Sequence, residues 1–501
     1  MGAGTGRWGE DARIRRGGGF FPARIRWKGV ADGNPWANAR DARRRESKRK
    51  RTAMARQPRD SVARDSVDCS GDRWLTGRDF KQFPAGTVGI CVLWAGQTIP
   101  HLRKNVMPVP SWLPLLLGFF IAVTAFSTDM YLPAFPAIEA SLNAPTGSAQ
   151  LTLATWFAGL AVGQITQGTL ADRYGRRAPL LAGFALYTLG CVGCALAPNI
   201  FWLSTFRAIS ALGASAGAVI PRAVVRDLSD GHAAARMQAK LMLVMAAAPI
   251  LAPSVGGILL TYWSWRAIFW VFTAYGVICM VLVVWKLPET LPVEGRLRLG
   301  AVALLSRYVQ IIQERSFFTH AMLGGFGMFC LFAYISSSSP VFIRGYGYTP
   351  QQFGYVFGGC AVGLIICGQI SPRLLPRLGA RGVVRIGSVN LVLATFTLAV
   401  ISFLRLDSPA ILIPPLVWAV ASLGFISPNA AVGALSRHAA HAGSASALMG
   451  TMMFTMGAMS ALLGSMVADG TPRGMTALMF AGAIGVAVAD WLRPRTSSSS
   501  Q

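Results

Sequence analysis

From Trp112 onward the chain alternates long apolar stretches with short polar breaks. Twelve stretches can be cut, at 112–134, 148–171, 178–197, 199–224, 236–260, 265–287, 316–339, 351–371, 383–405, 409–432, 443–468 and 473–492. A helix rises about 1.5 Å per residue and the bilayer's hydrocarbon core is about 30 Å thick, so roughly 20 apolar residues suffice to cross it. The pattern predicts an all-α membrane protein with twelve transmembrane helices.

The breaks sort by charge, which gives the predicted helices an orientation. One set of alternate breaks collects Arg173, Arg176, Arg177, then Arg222, Arg226, Arg236 and Lys240, then Lys286 to Arg315, then Arg373, Arg377, Arg381 and Arg385, then Arg437, and last Arg493 and Arg495. The other set holds only Arg266, Arg344, Arg405 and Arg473. Cytoplasmic loops carry the Lys/Arg excess, so an even helix count with both termini cytoplasmic is expected. The longest internal break, 288–315, divides the chain into an N-terminal half at 107–287 and a C-terminal half at 316–501, six helices each. The halves repeat weakly: at an offset of 204 residues Arg173, Gly175 and Arg177 fall on Arg377, Gly379 and Arg381, and Asp172 falls on Pro376. Two pseudo-symmetric halves are an architecture of secondary transporters.

Composition agrees: 53% of residues are hydrophobic and only 14% charged, against about 25% charged in soluble proteins. The net charge of +26 has two sources. Residues 1–106 hold 23 Lys and Arg against 10 Asp and Glu, in runs such as Arg43-Arg44-Arg45-Glu46-Ser47-Lys48-Arg49-Lys50-Arg51. A Gly/Arg-rich segment of this kind buries too little apolar surface to fold, so a disordered basic extension is expected, with Met107 as the expected translation start. No apolar core of a cleavable signal peptide occurs in the first thirty residues. The pair Cys191-x-x-Cys194 lies inside an apolar span with no second Cys/His pair at ligand spacing, so core packing is expected there, and neither metal nor cofactor.

Four features carry candidate chemistry. The break Gly168-Thr169-Leu170-Ala171-Asp172-Arg173-Tyr174-Gly175-Arg176-Arg177 sets one acid among three arginines. A carboxylate there can face the positive end of a neighbouring helix while the arginines find acids, which makes a releasable latch. Asp227 is the expected partner of Arg173 or Arg176, and the small-residue run Gly443-Ser444-Ala445 the expected docking end for Asp172. Asp129, in Ser127-Thr128-Asp129-Met130-Tyr131, is an isolated carboxylate inside a span. Low dielectric disfavours its charged form, so it is a candidate proton carrier. Arg207 is the basic residue placed inside a span rather than at its end, and a buried guanidinium requires a partner; Asp129 is the expected counter-charge, releasing it when substrate or conformation separates the two. Last, Ala248-Pro249-Ile250-Leu251-Ala252-Pro253-Ser254-Val255-Gly256-Gly257 predicts a kinked fifth helix that packs closely on its neighbours.

The Gly168–Arg177 break resembles the signature between helices two and three of the major facilitator superfamily. The helix-five run is similar to that superfamily's antiporter motif, G-P-x-x-G-G, with Ala252 in place of the first glycine. Together with Ser-Thr-Asp-Met-Tyr-Leu-Pro from 127, Arg-Ala-Val-Val-Arg-Asp-Leu from 222, Trp265-Arg266-Ala267-Ile268-Phe269 and Leu287-Pro288-Glu289-Thr290-Leu291, these motifs resemble the bicyclomycin-resistance (Bcr/CflA) group of drug:proton antiporters over roughly residues 107–495. The resemblance implies alternating access in a bacterial inner membrane, a proton moving inward as drug moves outward, and a latch that holds the two halves together and lets go during the switch. It also implies a cavity lined by helices one, four, seven and ten, with Tyr131, Phe332, Tyr334 and Trp418 as aromatic candidates and Ser336 and Asn429 as polar ones. The expected partners are a small amphipathic drug, protons and the lipid bilayer, and a monomer is expected.

A transporter of a specific native metabolite, such as an amino acid or peptide, would use the same proton-coupled machine. A nucleic-acid binder does not fit, because the basic residues of the apolar part follow alternate breaks rather than one face. No G-x-x-x-x-G-K-[ST] phosphate loop and no H-E-x-x-H or G-x-S-x-G in a suitable setting occurs, which speaks against a primary pump or an enzyme and leaves an ion gradient as the energy source.

Overall fold

In the computed structural model the described residues are 110–494 apart from 230, 294–295, 297–300, 407 and 439–440; the expected basic extension and the start at Met107 lie outside them. Among these residues there is no strand. The first half consists of α1 (Leu113–Asp129), a 3-10 turn (Leu132–Ala134), α2 (Phe135–Ser141), α3 (Ser148–Tyr174), α4 (Arg177–Leu196), α5 (Ile200–Leu228), α6 (Gly231–Tyr262) and α7 (Arg266–Lys286). After α8 (Ala301–Gln313) the second half follows as α9 (Arg315–Ser339), a π-helical turn (Pro340–Gly345), α10 (Pro350–Phe403), α11 (Pro409–Leu435), α12 (Ala442–Met466) and α13 (Pro472–Leu492). Pro133 and Pro136, which lack the N–H a helix needs, explain why the first span pauses just beyond Asp129 before resuming as α2.

Among the described residues ten helical segments are long and apolar enough to cross a membrane. The difference from the twelve stretches of the sequence has two causes. Helix α3 is polar for a span, but its polar groups face protein: Gln167 donates to the Leu212 carbonyl (3.3 Å), and Gln164 packs where a Cβ on Gly450 would lie 2.7 Å from its Oε1. Helix α10 is 54 residues long, about 80 Å at 1.5 Å per residue, and is broken at Gly379 (φ 66°, ψ 165°). Its two arms run in opposite directions past α11. Gly363, Gly368 and Ser371 meet Ala421, Gly424 and Asn429 in ascending register, while Asn390 and Gly387 meet Trp418 and Phe425 in descending register.

Each half packs largely on itself, α3 and α4 on α5, α1 on α6, α9 on α12 and α13, and α10 on α11. Small residues set these distances, as where Gly163 faces Ser215 and Gly183 faces Ala216. The halves meet along two seams, α3 on α12 and α6 on α10. On the first, Thr451 donates to the Ala161 carbonyl (3.0 Å), and beside it Phe157 of α3 stacks on Phe332 of α9 with centroids 3.8 Å apart. On the second, Gly354 fits against Ser254 and Gly257 against Pro350.

Candidate functional site

Asp129 ends α1, and its side chain is buried with 5% of the residue exposed. The residues before it are anchored. Ser127 Oγ and Tyr187 Oη share a hydrogen bond of 2.6 Å, and Thr128 Oγ1 donates to the Thr124 carbonyl (2.8 Å) while accepting from the Trp156 indole (3.0 Å). The Asp129 carboxylate itself has no hydrogen bond and no ion pair among the described residues. Helix α9 of the other half packs against the 3-10 turn that follows Asp129.

Arg207 does not supply the expected counter-charge. Its guanidinium is 1% exposed and lies over the rings of Trp156 (4.3 Å), Tyr131 (4.4 Å) and Phe269 (5.9 Å). Nη1 donates to the Ser127 carbonyl (3.1 Å), two residues before Asp129, and Nε and Nη2 have no hydrogen-bond partner among the described residues. Three aromatic faces stabilise the buried cation by quadrupole attraction, in place of the ion pair the sequence suggested. Arg207 is therefore linked to Asp129 through the backbone of α1 rather than by charge pairing.

The fifth-helix motif packs against the same place. A Cβ on Gly256 would sit 2.2 Å from the Met130 carbonyl oxygen, so only glycine lets α6 approach α1 here. Gly257, one residue on, faces the Pro350 carbonyl of the second half at 3.1 Å. Pro249 and Pro253 lie within α6. The motif thus touches both the end of α1 and the start of α10.

The arginine-rich loop forms a network centred on Arg176. Arg176 is buried; it pairs with Asp172 (2.6 Å) and, through Nε, with Asp227 (2.8 Å), to which Nη2 also donates (3.3 Å). Arg173, the other expected partner of Asp227, lies instead against its neighbour Tyr174. Glu289, just past α7, accepts from the backbone N–H groups of Arg176 (2.8 Å) and Arg177 (3.1 Å). Burial pushes the Glu289 carboxyl up, but the amides of Arg176, Leu291 and Arg177, with the nearby Arg296 charge, outweigh it and hold the group below the usual carboxylate range. Gly175 has φ 93°, and a Cβ there would meet Glu289 Oε2 at 2.6 Å. Arg177 donates to the Val284 carbonyl (2.5 Å). Among the described residues Asp172 makes no hydrogen bond to the start of α12; it lines a recess together with Gly168, Gly443 and Ser444, and its pairing is with Arg176.

The expected cavity residues divide. Phe332 stacks across the half interface, Tyr334 stacks on Phe357 (5.6 Å), and Ser336 is buried, with its hydroxyl unpartnered, against Gly464. Asn429 is buried and donates to Ser371 (2.8 Å) and the Phe425 carbonyl. Tyr131 is fully buried beneath Arg207, with a hydrogen bond to Thr152 (2.7 Å), so it packs the first half rather than lining an open space. Trp418 is 41% exposed and donates to Asn390 (3.2 Å) on the second arm of α10, away from the half interface.

The sequence profile described as Major Facilitator Superfamily matches residues 115–462. The chain belongs to the major facilitator superfamily. Among relatives, it is 32% identical over 375 residues to the uncharacterised MFS-type transporter YdgK of Bacillus subtilis, covering 74% of this chain and 92% of that one. It is 29% identical to the bicyclomycin resistance protein homolog of Haemophilus influenzae (71% and 88% covered) and 29% identical to the chloramphenicol resistance protein of Pseudomonas aeruginosa (64% and 72% covered). These relatives bear out the resemblance to the bicyclomycin-resistance group. Among solved structures, a D-xylose-proton symporter superposes with a TM-score of 0.61 at 16% identity, covering 76% of this chain and 96% of that one, a likeness of fold alone.

For this superfamily member, a multi-pass membrane transporter and not an enzyme, two features were missed from sequence. Glu289 stood in a quoted motif, but nothing local shows that it holds the Arg176 and Arg177 amides, 113 and 112 residues away. Glu139 and Arg344 form an ion pair of 2.7 Å between the halves across 205 residues. The available signal was that Arg344 is one of only four basic residues on the arginine-poor side.

Proposed function

We propose that this chain is a proton-coupled secondary transporter that exports small amphipathic drugs across a bacterial inner membrane by alternating access. It works as a monomer of twelve spans with both termini cytoplasmic, the arms of α10 counting as two and α3 as one. Residues 107–287 and 316–501 form the moving halves, 288–315 joins them, and 1–106 are a basic extension. The observation that carries the reading is Asp129, a buried carboxylate at the end of α1 with no partner among the described residues and with α9 of the second half packed on the turn that follows it. A carboxylate in that setting exchanges a proton according to which side is open. The resistance proteins among the relatives supply the substrate class, and Phe332, Tyr334 and Ser336 at the half interface are the proposed contacts.

The test is collapse of a preset pH gradient in inside-out vesicles on addition of cationic, neutral and anionic drugs, with the parent beside Asp129→Asn. Collapse by the parent and not by Asp129→Asn is expected. Collapse by both removes Asp129 from the mechanism, and collapse by neither, with insertion confirmed, retires drug:proton antiport.

A further inference from the structure

The ion pair at the arginine-poor end joins elements that must part in any rocking cycle. Glu139 lies on α2 of the first half, 4% exposed; Arg344 lies on the π-helical turn that follows α9 in the second half. Glu139 Oε1 accepts from the backbone N–H groups of Gly147 (2.8 Å) and Ala149 (3.2 Å), which open α3, while Oε2 takes Arg344 Nη2 at 2.7 Å. Arg344 Nη1 donates to Thr146 Oγ1 (3.0 Å). One guanidinium therefore grips both the acid and the loop between α2 and α3.

The backbone closes around this pair. Gly147 has φ 89°, and a Cβ there would lie 2.5 Å from the Ser465 carbonyl oxygen of α12. Gln351 of α10 donates to Thr261 of α6 close by on the second seam. Among the described residues the other carboxylate–arginine ion pairs lie at the arginine-rich end, Arg176 with Asp172 and Asp227 in the first half, Arg385 and Arg493 with Asp490 in the second, and Arg437 of the second half with Glu314 just before α9. Glu139–Arg344 is the ion pair among the described residues that crosses from one half to the other.

We propose that Glu139 and Arg344 are positioning residues for transport, a salt-bridged clasp that closes the arginine-poor mouth and must open for substrate to leave on that side. The proposal rests on the alternating-access reading but not on the identity of drug or coupling ion. Removing the partner of a buried acid destabilises strongly, whereas breaking a fully exposed pair does so only weakly. Arg344 is 37% exposed and Glu139 4%, so an intermediate effect is expected, about a tenfold shift of the mouth toward open.

The experiment uses two reporter cysteines in the full chain, each against a blank without it. Ser148→Cys lies beside Gly147, 7% exposed beneath the clasp; Ser444→Cys lines the recess at the arginine-rich end. A membrane-impermeant maleimide is applied to right-side-out vesicles for the first and inside-out vesicles for the second. With Arg344→Gln, labelling at 148 is expected to rise about tenfold while labelling at 444 falls; Arg344→Lys is expected to stay near the parent. Reciprocal movement separates a gate from a structural lesion, which would raise both rates. Unchanged rates, or rates that rise together, overturn the proposal. If Arg344→Gln does not insert, Glu139→Gln, which can still accept the two amides, is read by the same criteria. No substrate or pH gradient enters the assay, so its outcome is independent of whether Asp129 carries the proton.

Discussion

The tightest backbone approach near Asp129 is where α6 crosses α1, and Gly256→Ala tests it. The added methyl would start 2.2 Å from the Met130 carbonyl oxygen, whereas carbon–oxygen contacts settle at no less than about 3.3 Å. The helices must move apart by about 1 Å, since a backbone carbonyl held within a span cannot swing aside as a side chain would. Overpacking of this kind costs about 1–3 kcal/mol, which corresponds to a loss of roughly 2–6 °C in Tm. Two neighbouring glycines calibrate the effect. Gly257→Ala meets the Pro350 carbonyl at 3.1 Å and is expected to lose less, and Gly359→Ala meets nothing within 4 Å and is expected to be neutral. Thermal unfolding of the purified variants in detergent, followed by tryptophan fluorescence, gives the ranking, and drug-induced proton movement in vesicles gives the functional consequence. A Tm for Gly256→Ala equal to that of Gly359→Ala would refute the reasoning, because it would mean that α6 and α1 do not touch at this carbonyl.

At the arginine-rich end, Arg176→Ala strands the carboxylates of Asp227 and Asp172, and with Asp227 only 17% exposed the loss is expected at about 3 kcal/mol or more. Asp172→Asn, at a side chain 37% exposed, is screened and is expected to cost about 1 kcal/mol or less; equal destabilisation in a chemical-unfolding series would refute the ranking. Glu289 is held below its ordinary carboxylate range in the folded chain, so its contribution to stability is present above that range and is lost as pH falls through the lowered value. A Tm–pH profile is therefore expected to drop on the acid side in the parent and to flatten in Glu289→Gln, and parallel profiles would count against the clamp. Arg207→Lys keeps the charge but not the planar group that lies over Trp156 and Tyr131, so it is expected to destabilise almost as much as Arg207→Ala, by about 2 kcal/mol or more, and both are expected to shift the pH optimum of transport by loosening Ser127; full rescue by lysine would show that charge alone matters.

Spans and loop charges were legible in the sequence because each is written locally: a run of apolar residues needs no distant partner to declare a helix. The exceptions follow from burial inside protein. The sequence did mark 148–171 as a span, yet α3 falls short of a span by composition because Gln164 and Gln167 answer to Gly450 and the Leu212 carbonyl rather than to lipid. Side-chain pairing was legible only where a few candidates competed. Asp227 was found as an acid for the arginine loop, with Arg176 rather than Arg173 as the choice, because Arg176 caps α4 and turns inward after Gly175. Arg207 was paired wrongly on the assumption that a buried cation demands an acid. Three ring faces, from the turn after α1, from α3 and from α7, satisfy it instead, and no local pattern announces that Tyr131, Trp156 and Phe269 converge.

The placement of the charges also bears on which contacts can break in each turnover. The expectation was a latch of acid and arginines that holds the two halves together. The structure puts Arg176, Asp172 and Asp227 on the first half and Glu289 at the start of the linker just past α7, where they tie the ends of α3, α4, α5 and α7 into one body. Breaking such a buried network would cost about 3–5 kcal/mol, a heavy toll for a step repeated every cycle, so its geometry suits a rigid unit that rocks as a whole. Away from the Glu139–Arg344 pair, the seam between the halves is made of cheaper contacts, glycine and serine faces and the Phe157–Phe332 stack, which separate without leaving a buried charge alone. Within the network only Asp172 can move at small cost. Its side chain is the most exposed of the acids paired with Arg176, and Arg176 would keep both of its bonds to Asp227 if Asp172 left. The recess that Asp172 shares with Gly443 and Ser444 gives it somewhere to go, the positive first turn of α12 on the opposite half. Under the proposed alternating access, the exchange of one carboxylate between Arg176 and α12, rather than the opening of the whole cluster, is therefore the step expected at this end.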